Sequence, residues 1–328
     1  MRRIVGFLLV LGLLIGGAGW WWVNHHRLTL ANSVVNLSIE FGSLPQSVAQ
    51  AAVEAGVDTS PLVLYWWFRL SGQARQIKAG SYEFAGELTP ASLLRKLVRG
   101  DEALRTVTLV EGWTFRQVRA ALLKAELLTP DTQGLEPDLI MKSLGRPELP
   151  PEGRFYPDTY NYAKGSSDLA LLRRALQAMD RQLAAAWQAR QTDSPLKTPE
   201  QLLTLASIVE KETGLARDRA LIASVFVNRL RLGMPLQTDP TVIYGLGEQF
   251  DGNLRKRDLQ QDTPWNTYTR SGLPLTPISM PGKAALGAAA QPEPGRALYF
   301  VARGDGSSQF SENLAAHNHA VNQYQRGQ

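Results

Sequence analysis

The sequence predicts an α+β protein with an N-terminal transmembrane helix, a region of short mixed elements and then a mostly helical region with small β elements. Three observations predict this class. An uncharged apolar run occupies Ile4–Val23. Runs of strand-like residues such as Val34–Ile39 then alternate with short capped helices. From Ser167 onward the apolar residues recur mainly at helical spacing.

The apolar run has about the ~20 residues that a helix needs to cross a bilayer. It ends in Trp20–Trp22, an aromatic belt typical of the water interface, and Arg2 and Arg3 precede it. We therefore expect residues 1–3 in the cytoplasm, 4–23 in the membrane and the rest beyond it. A cleaved signal peptide is the alternative. The length of the run and the missing small-residue cleavage site argue against it.

Composition excludes several classes of function. The chain of 328 residues has no Cys, so a disulfide framework, a thiolate zinc site and a lipid-anchored Cys are excluded. A net charge of +5 without a Lys/Arg-rich run suits anionic wall polymer or lipid head groups better than nucleic acid. With four His, two of them beside the membrane, we expect neither a His-based metal site nor a cofactor.

Residues 28–135 are predicted to form small strands and helices, and residues 136–328 longer helices. A very aromatic helix in the first region, with Tyr65–Phe68, suits packing better than a sugar platform. The predicted strands are Val34–Ile39, Ala79–Phe84, Arg105–Val110 and Ala297–Ala302, and the helices Pro45–Ala55, Leu62–Leu70, Thr89–Gly100, Thr114–Leu123, Ser167–Arg190, Thr198–Thr213, Arg217–Leu232, Ala284–Ala290 and Asn313–Tyr324. Between them, Glu136–Pro151 is a loop or short helix, and turns rich in Gly and Pro follow Gly233.

The helix that ends near Thr213 is the most informative element. Thr198 suits its cap, Pro199 its first position and Gly214 its end. At about 100° per residue, Glu212 shares the bulky apolar face, whereas Glu210 lies roughly opposite. Desolvation on that face is expected to raise the pKa of Glu212. The alternative is that both acids are ordinary surface residues.

Several strings, in order along the chain, resemble the YceG-like family of endolytic murein transglycosylases. The resemblance covers nearly all of the chain after the anchor. The strings are EGWT from Glu111, FYPDT from Phe155, LASIVEKET from Leu205, NRL from Asn228, LQTDPTVIYG from Leu236, NTY from Asn266, GLPLTPISMPG from Gly272 and the terminal Asn313 to Asn318. This resemblance implies a LysM-like substrate-binding region at 28–135 and a catalytic domain at 136–328.

The resemblance also selects a catalytic residue. Goose-lysozyme-like transglycosylases place their acid in a helix reading A-x-I-x-x-x-E-S, and Ala206 to Thr213 reads A-x-I-x-x-x-E-T, which selects Glu212. Glu210 and another acid such as Asp239 stay as alternatives. Side chains in Gly/Pro-punctuated segments suit sugar hydroxyls as substrate-binding candidates, namely Gln237, Asp239, Tyr244, Asn266 and Tyr268. Each also has a structural interpretation, such as a turn or cap at Thr238–Pro240, a core position for Tyr244, or packing for His317.

The resemblance implies a lyase that cuts peptidoglycan glycan strands. It also implies that this enzyme lies in the inner membrane, with its catalytic domain in the periplasm. One acid suffices when the C6 hydroxyl of muramic acid attacks C1 of its own ring, giving a 1,6-anhydro end. The implied partners are glycan strands, the inner membrane and the penicillin-binding synthases of the division or elongation machinery. A non-catalytic peptidoglycan-binding scaffold and a two-carboxylate hydrolase are the alternatives.

Overall fold

A computed structural model describes residues 2–326, which form two compact units. The first unit comprises the chain through Arg105 together with Asn161–Gly165. The second comprises Thr106–Tyr160 and the chain from Ser166 onward. The chain therefore passes between the units three times, within the strands Leu104–Thr108 and Thr159–Ala163 and again after Gly165.

The first unit is built on a six-residue antiparallel pair of strands covered by short helices. Its elements are α1 (Arg2–His25), β1 (Thr29–Leu30), β2 (Val34–Ile39), α2 (Pro45–Glu54), β3 (Val57–Asp58), α3 (Pro61–Leu70), β4 (Gly80–Ala85) and α4 (Pro90–Arg99). Strand β2 pairs with β4, from Val34 opposite Ala85 to Ile39 opposite Gly80. One face of β2 is buried and the other exposed, so alternation fixes the register. A capping box at Thr89 and a left-handed Gly100 bound α4, as their residue types favour.

The predicted transmembrane segment falls within α1. Some of its positions, including Ile4 and Ile15, lie outside the residues whose side chains the structure describes. Within the portion that is described, no helix combines the length and apolar character that a membrane crossing requires. The segment at 4–23 stays a prediction.

The second unit is mostly helical and holds the larger core. Its elements are β5 (Leu104–Thr108), α5 (Phe115–Lys124), α6 (Pro137–Ser143), β6 (Thr159–Ala163), α7 (Asp168–Gln188), α8 (Pro199–Glu212), α9 (Ala216–Arg231), α10 (Asp239–Leu246), α11 (Lys256–Gln260), α12 (Lys283–Ala290), β7 (Tyr299–Ala302), β8 (Ser308–Ser311) and α13 (Leu314–Val321), which continues as a π-helical turn at Asn322–Arg326. Helix α8 packs against α7, α9 and α12. Residues 202–209 of α8 are buried on every side of the helix.

The division between the units differs from the predicted boundary at residues 135 and 136. Helix α5 packs into the second unit, because the ring of Phe115 stacks on that of Phe155 at 5.1 Å between centroids. The backbone N–H of Phe115 also donates to the buried carboxylate of Glu152, at 3.0 Å. These long-range contacts hold residues 106–135 with the helical core.

Most predicted elements are present with boundaries shifted by a few residues. The elements that the patterns did not indicate are short or begin in turn-like sequence: β1, β3, β6, β8, α10 and α11. Helix α10 lies in the stretch interpreted as turns, because Asp239-Pro240 opens it and Gly247 closes it. Pro at the first position is compatible with a helix, so the turn signal and the helix-start signal coincide there.

Candidate active site

Helix α8 carries an acid to its very end. Its N-terminus forms as expected, since Thr198 accepts a hydrogen bond from the backbone N–H of Gln201 at 3.2 Å and Pro199 fills the first turn. The helix ends at Glu212, because Thr213 adopts an extended conformation. The Thr213 hydroxyl then accepts from the Leu215 backbone N–H at 2.9 Å, which turns the chain toward α9. Thr213, and not the predicted Gly214, therefore ends the helix.

The carboxyl of Glu212 lies in an environment that favours its neutral form. The pKa of Glu212 is raised from 4.5 to about 7, because burial and, to a lesser extent, the nearby carboxylate of Asp239 outweigh a hydrogen bond from Thr238 that lowers it. That bond runs from the Thr238 hydroxyl to Oε1 of Glu212. The negative end of the α8 dipole also disfavours a carboxylate at this position. The predicted direction of the pKa change is confirmed, although the side chain is partly, not fully, buried.

Glu210 lies in a different electrostatic setting. Burial raises its pKa as well, but the backbone N–H of Gly282 donates to its Oε2 at 2.8 Å, and Arg219 and Lys211 lower the pKa. The pKa of Glu210 is still raised overall, because burial and the neighbouring Glu111 outweigh these groups, but its charged form has an N–H donor and two cations that Glu212 lacks. Of the two acids, Glu212 is therefore the better proton donor near neutral pH.

Two predicted substrate-binding residues are brought next to Glu212. Asp239 is exposed at the first turn of α10, and the hydroxyl of Tyr268 donates to its Oδ1 at 2.6 Å. Electrostatic interaction links Glu212 to each of them. Burial and the bond to Asp239 raise the pKa of Tyr268, so its phenol stays protonated and can donate. This part of the site thus combines an acid, a carboxylate and a phenol.

Gln237 lies in a strained loop that presents Thr238 to the acid. Its φ is +52°, a left-handed conformation that a residue other than Gly rarely adopts. Arg229 restrains the loop by donating to the Leu236 carbonyl at 2.8 Å and to the Gln237 side chain at 3.2 Å. The Thr238 backbone N–H donates to the Thr267 hydroxyl at 3.1 Å. The side chain of Gln237 is exposed beside the Glu212 site.

The remaining two candidates lie elsewhere. Asn266 is buried, and its amide donates to three backbone carbonyls, the nearest being that of Gln261 at 2.7 Å. Its Oδ1 accepts from the Tyr268 backbone N–H at 2.8 Å. Asn266 thus shapes the loop that carries Tyr268, which favours its structural interpretation. Tyr244 turns its hydroxyl to Oε2 of Glu152 at 3.0 Å.

Glu152 is a buried acid that the sequence patterns did not single out. Burial raises its pKa to about 7, opposed by hydrogen bonds from the Tyr244 hydroxyl and the Phe115 backbone N–H. It lies between the Pro/Gly-rich loop and the stretch that begins at Gly153, and no periodic pattern marks it. Its partners are 37 and 92 residues away in sequence, so local spacing held no signal for it.

Comparisons with known proteins agree on one family. The YceG-like family model matches residues 37–323. An endolytic murein transglycosylase of Bacillus subtilis is 30% identical over 90% of this chain and 86% of its own length. One from Streptococcus pneumoniae is 28% identical over 97% of this chain, which spans 64% of that protein. A crystal structure of a yceG-like protein from Listeria monocytogenes has a TM-score of 0.56 and 29% identity, covering 88% of this chain and 98% of that one.

Proposed function

The chain belongs to the YceG-like family, and from this premise we propose that it is an endolytic murein transglycosylase that cuts the β-1,4 bond between N-acetylmuramic acid and N-acetylglucosamine within peptidoglycan strands. The observation that carries the proposal is the carboxyl of Glu212, whose pKa of about 7 keeps a large fraction of it protonated at neutral pH. Cleavage of a glycosidic bond needs such an acid beside the leaving oxygen.

In the first step, protonated Glu212 gives its proton to the glycosidic oxygen as the bond from that oxygen to C1 of the muramic acid breaks. The positive charge that develops on the ring resembles an oxocarbenium ion. The exposed carboxylate of Asp239 is next to the acid and would stabilise this charge electrostatically. The Tyr268 hydroxyl, which donates to Asp239, holds that carboxylate in place.

In the second step, the C6 hydroxyl of the same muramic acid forms the new bond to C1 and gives its proton to the Glu212 carboxylate. The acid is then regenerated, and the product is a 1,6-anhydro end. Because the nucleophile is part of the reacting ring, the attack is intramolecular and gains several kcal/mol from tethering. A second catalytic carboxylate is not needed, so Asp239 is assigned electrostatic stabilisation and substrate contact.

The proposal includes the location of the enzyme. We assign residues 4–23 as a single membrane anchor, with the N-terminus in the cytoplasm and the chain from residue 28 onward on the periplasmic side of the inner membrane. The support is the apolar run with its flanking Arg residues and its terminal Trp20–Trp22. Such an anchor keeps the acid near strands that the penicillin-binding synthases are extending, so that cleavage would end their elongation.

Product analysis of two matched variants tests the chemistry. Glu212→Gln is nearly isosteric and removes the proton donor, and Glu210→Gln makes the same change two residues away. On purified glycan strands we expect 1,6-anhydro ends from the wild type and from Glu210→Gln, and a loss of at least ~10²-fold for Glu212→Gln. Mass spectrometry separates the anhydro product from a hydrolysis product, which is one water heavier. Hydrolysis products from the wild type, or full activity of Glu212→Gln, would contradict the proposal.

We also propose that the first unit binds glycan, as the LysM-like resemblance implies. Helix α3 of that unit exposes Trp66, with 52% of its surface accessible, in an edge-to-face pair with Tyr65. An exposed indole offers a flat face to a sugar ring. Trp66→Ala is expected to weaken co-sedimentation of the full chain with purified sacculi. Leu70→Ala removes a still more accessible apolar side chain of the same helix, with 80% of its surface exposed, so equal losses in both variants would argue against a specific aromatic contact.

A further inference from the structure

A pocket of about 870 Å³ opens in the second unit beside α5 and α10. We call it the Glu152 pocket, and its residues include Phe115, Ala120, Glu152, Tyr244, Trp265 and Thr276. Its volume lies within the ~300–1,000 Å³ range of small-molecule sites. The residues described above as partners of Glu212, Thr238 and Asp239, are not part of its lining. The mechanism proposed above therefore does not use it.

The wall of the Glu152 pocket combines aromatic rings with a buried carboxyl. The rings of Tyr244 and Trp265 meet edge to face at 5.4 Å between centroids, and the Trp265 indole N–H is satisfied by the Thr276 hydroxyl at 2.9 Å. Glu152 accepts from the Tyr244 hydroxyl and the Phe115 N–H. The Gly153 backbone N–H is a third donor to this group. A carboxylate can accept about four hydrogen bonds, so Glu152 keeps capacity for about one hydroxyl or amide donor of a ligand.

The charged groups at the pocket favour a neutral ligand over an anionic one. The Arg116 guanidinium is paired with Glu248 at 2.7 Å. The Arg119 guanidinium donates to the carbonyls of Thr132 and Leu135, at 3.3 and 2.9 Å. Both cations are thus already engaged within the protein. The carboxylates of Glu136, Asp138 and Asp168 also line the pocket, which further disfavours an anionic ligand. Together with the aromatic and proline surface and the carboxyl of Glu152, this lining suits the C–H face, hydroxyls and acetamido group of a neutral N-acetylhexosamine.

Two separate elements connect the Glu152 pocket with the Glu212 site. Helix α10 begins at Asp239, in the Glu212 site, and carries Tyr244 into the pocket about 7.5 Å further along its axis, at 1.5 Å per residue. The loop that follows α11 carries Trp265 in the pocket and, three residues later, Tyr268 at the Glu212 site. Tyr244 lies about 140° around the helix from Asp239, so the two sites meet α10 on different faces. Both elements nevertheless hold residues of the two sites within a few residues of each other, a separation on the scale of a short oligosaccharide.

We infer that the Glu152 pocket is a second carbohydrate subsite, which holds an N-acetylhexosamine of the same glycan strand at a distance from the bond that is cut. The identity of the ligand rests on the proposed function, whereas the pocket and its chemistry do not. Because this sugar is not the reacting one, its contacts form equally in the ground state and the transition state. Such uniform binding lowers KM and leaves kcat unchanged.

A variant that fills the pocket tests this inference. Ala120 is exposed on α5 and lines the pocket, so Ala120→Trp places an indole in the cavity without entering the core. Lys124→Trp adds the same side chain at an exposed position of α5 outside the pocket. The probe is chitotetraose, titrated calorimetrically into the full chain in nanodiscs. Each variant also carries Glu212→Gln, so binding is measured without turnover.

We expect chitotetraose to bind to the Glu212→Gln background and to the variant with Lys124→Trp, and Ala120→Trp to weaken binding at least about tenfold. In the active background, Ala120→Trp is expected to raise KM for long strands by about tenfold with kcat within about twofold. No binding to the Glu212→Gln background, or equal binding with and without Ala120→Trp, would overturn the subsite. If the proposed function itself were wrong, the products of the wild type would lack 1,6-anhydro ends. That result is distinct from a loss of the subsite alone.

Discussion

Replacing Glu212 with Gln should change the pH dependence of stability as well as activity. Burial raises the pKa of this carboxyl from 4.5 to about 7 in the folded chain. Its contribution to stability is then fully present below pH ~4.5, where the acid is protonated in both folded and unfolded states, and is lost as the pH rises through ~7. Gln does not ionise, so Glu212→Gln should gain stability relative to the wild type over that same interval.

The size of the effect follows from the two pKa values. At ~1.4 kcal/mol per tenfold change, raising a pKa from 4.5 to about 7 makes ionisation about 3 kcal/mol more costly in the folded state. Solvent reaches part of the Glu212 side chain, so a change of about 2–3 kcal/mol is the expectation. For a unit of this size, 1 kcal/mol changes Tm by about 2–4 °C. The Tm of Glu212→Gln, measured relative to that of the wild type, should therefore be several degrees higher at high pH than at low pH.

The assay is urea unfolding of the full chain, followed by tryptophan fluorescence at pH 4.5 and pH 8.5. Glu248→Gln is the control, because it alters a carboxylate whose side chain is 84% exposed. The free-energy difference between Glu212→Gln and wild type should increase by about 2–3 kcal/mol from the lower to the higher pH. A difference that is the same at both pH values would refute the argument that burial keeps this acid neutral.

Two further predictions concern the surroundings of the acid and of the Glu152 pocket. Thr238→Val removes a donor to ionised Glu212 and should move the loss of kcat/KM at high pH upward by about one pH unit, whereas Asp239→Asn should move it downward. A pH profile of anhydro-product release checks both, and shifts in the same direction would contradict the assignment. Gly153→Ala should destabilise the chain by about 2–3 kcal/mol, because φ is +79° and a Cβ would lie 2.6 Å from a proline ring carbon. The control Gly145→Ala, with φ +79° but open space, should cost about 1 kcal/mol in the same urea titration.

The parts of the site that depend on neighbouring residues in sequence, namely the start of α8 and the position of its acid, could be predicted. Thr198 and Pro199 start α8 where capping chemistry predicts, and the helical period placed Glu212 on a face that desolvates it. Helix capping and helical periodicity act over a few residues, so they can be recognised from local sequence. The period alone did not separate Glu212 from Glu210, because α8 is buried on every side through residue 209 and burial raises the pKa of Glu210 as well. The difference comes from the Gly282 N–H, a donor to Glu210 that lies 72 residues away in sequence.

What could not be predicted depends on contacts between distant segments. Thr238 reaches Glu212 across 26 residues, from a loop in which Gln237 is left-handed and Arg229 donates to the Leu236 carbonyl. Asn266 has the composition of a sugar-binding residue, yet the fold uses its amide to tie down a loop. A polar side chain in a turn-rich segment has the same sequence signature in both roles, so the pattern alone does not separate them.

The pairing of Glu212 with a Thr hydroxyl bears on how one residue can serve as acid and then as base. A reaction with a single catalytic carboxyl passes through both of its protonation states, so the two states must be close in free energy near neutral pH. Burial and Asp239 favour the neutral form, and Thr238 favours the charged form. A hydroxyl can donate to the carboxylate and, after rotation, accept from the carboxylic acid, so the contact persists through both steps. A cationic partner in its place would fix the carboxylate and remove the acid that the first step requires.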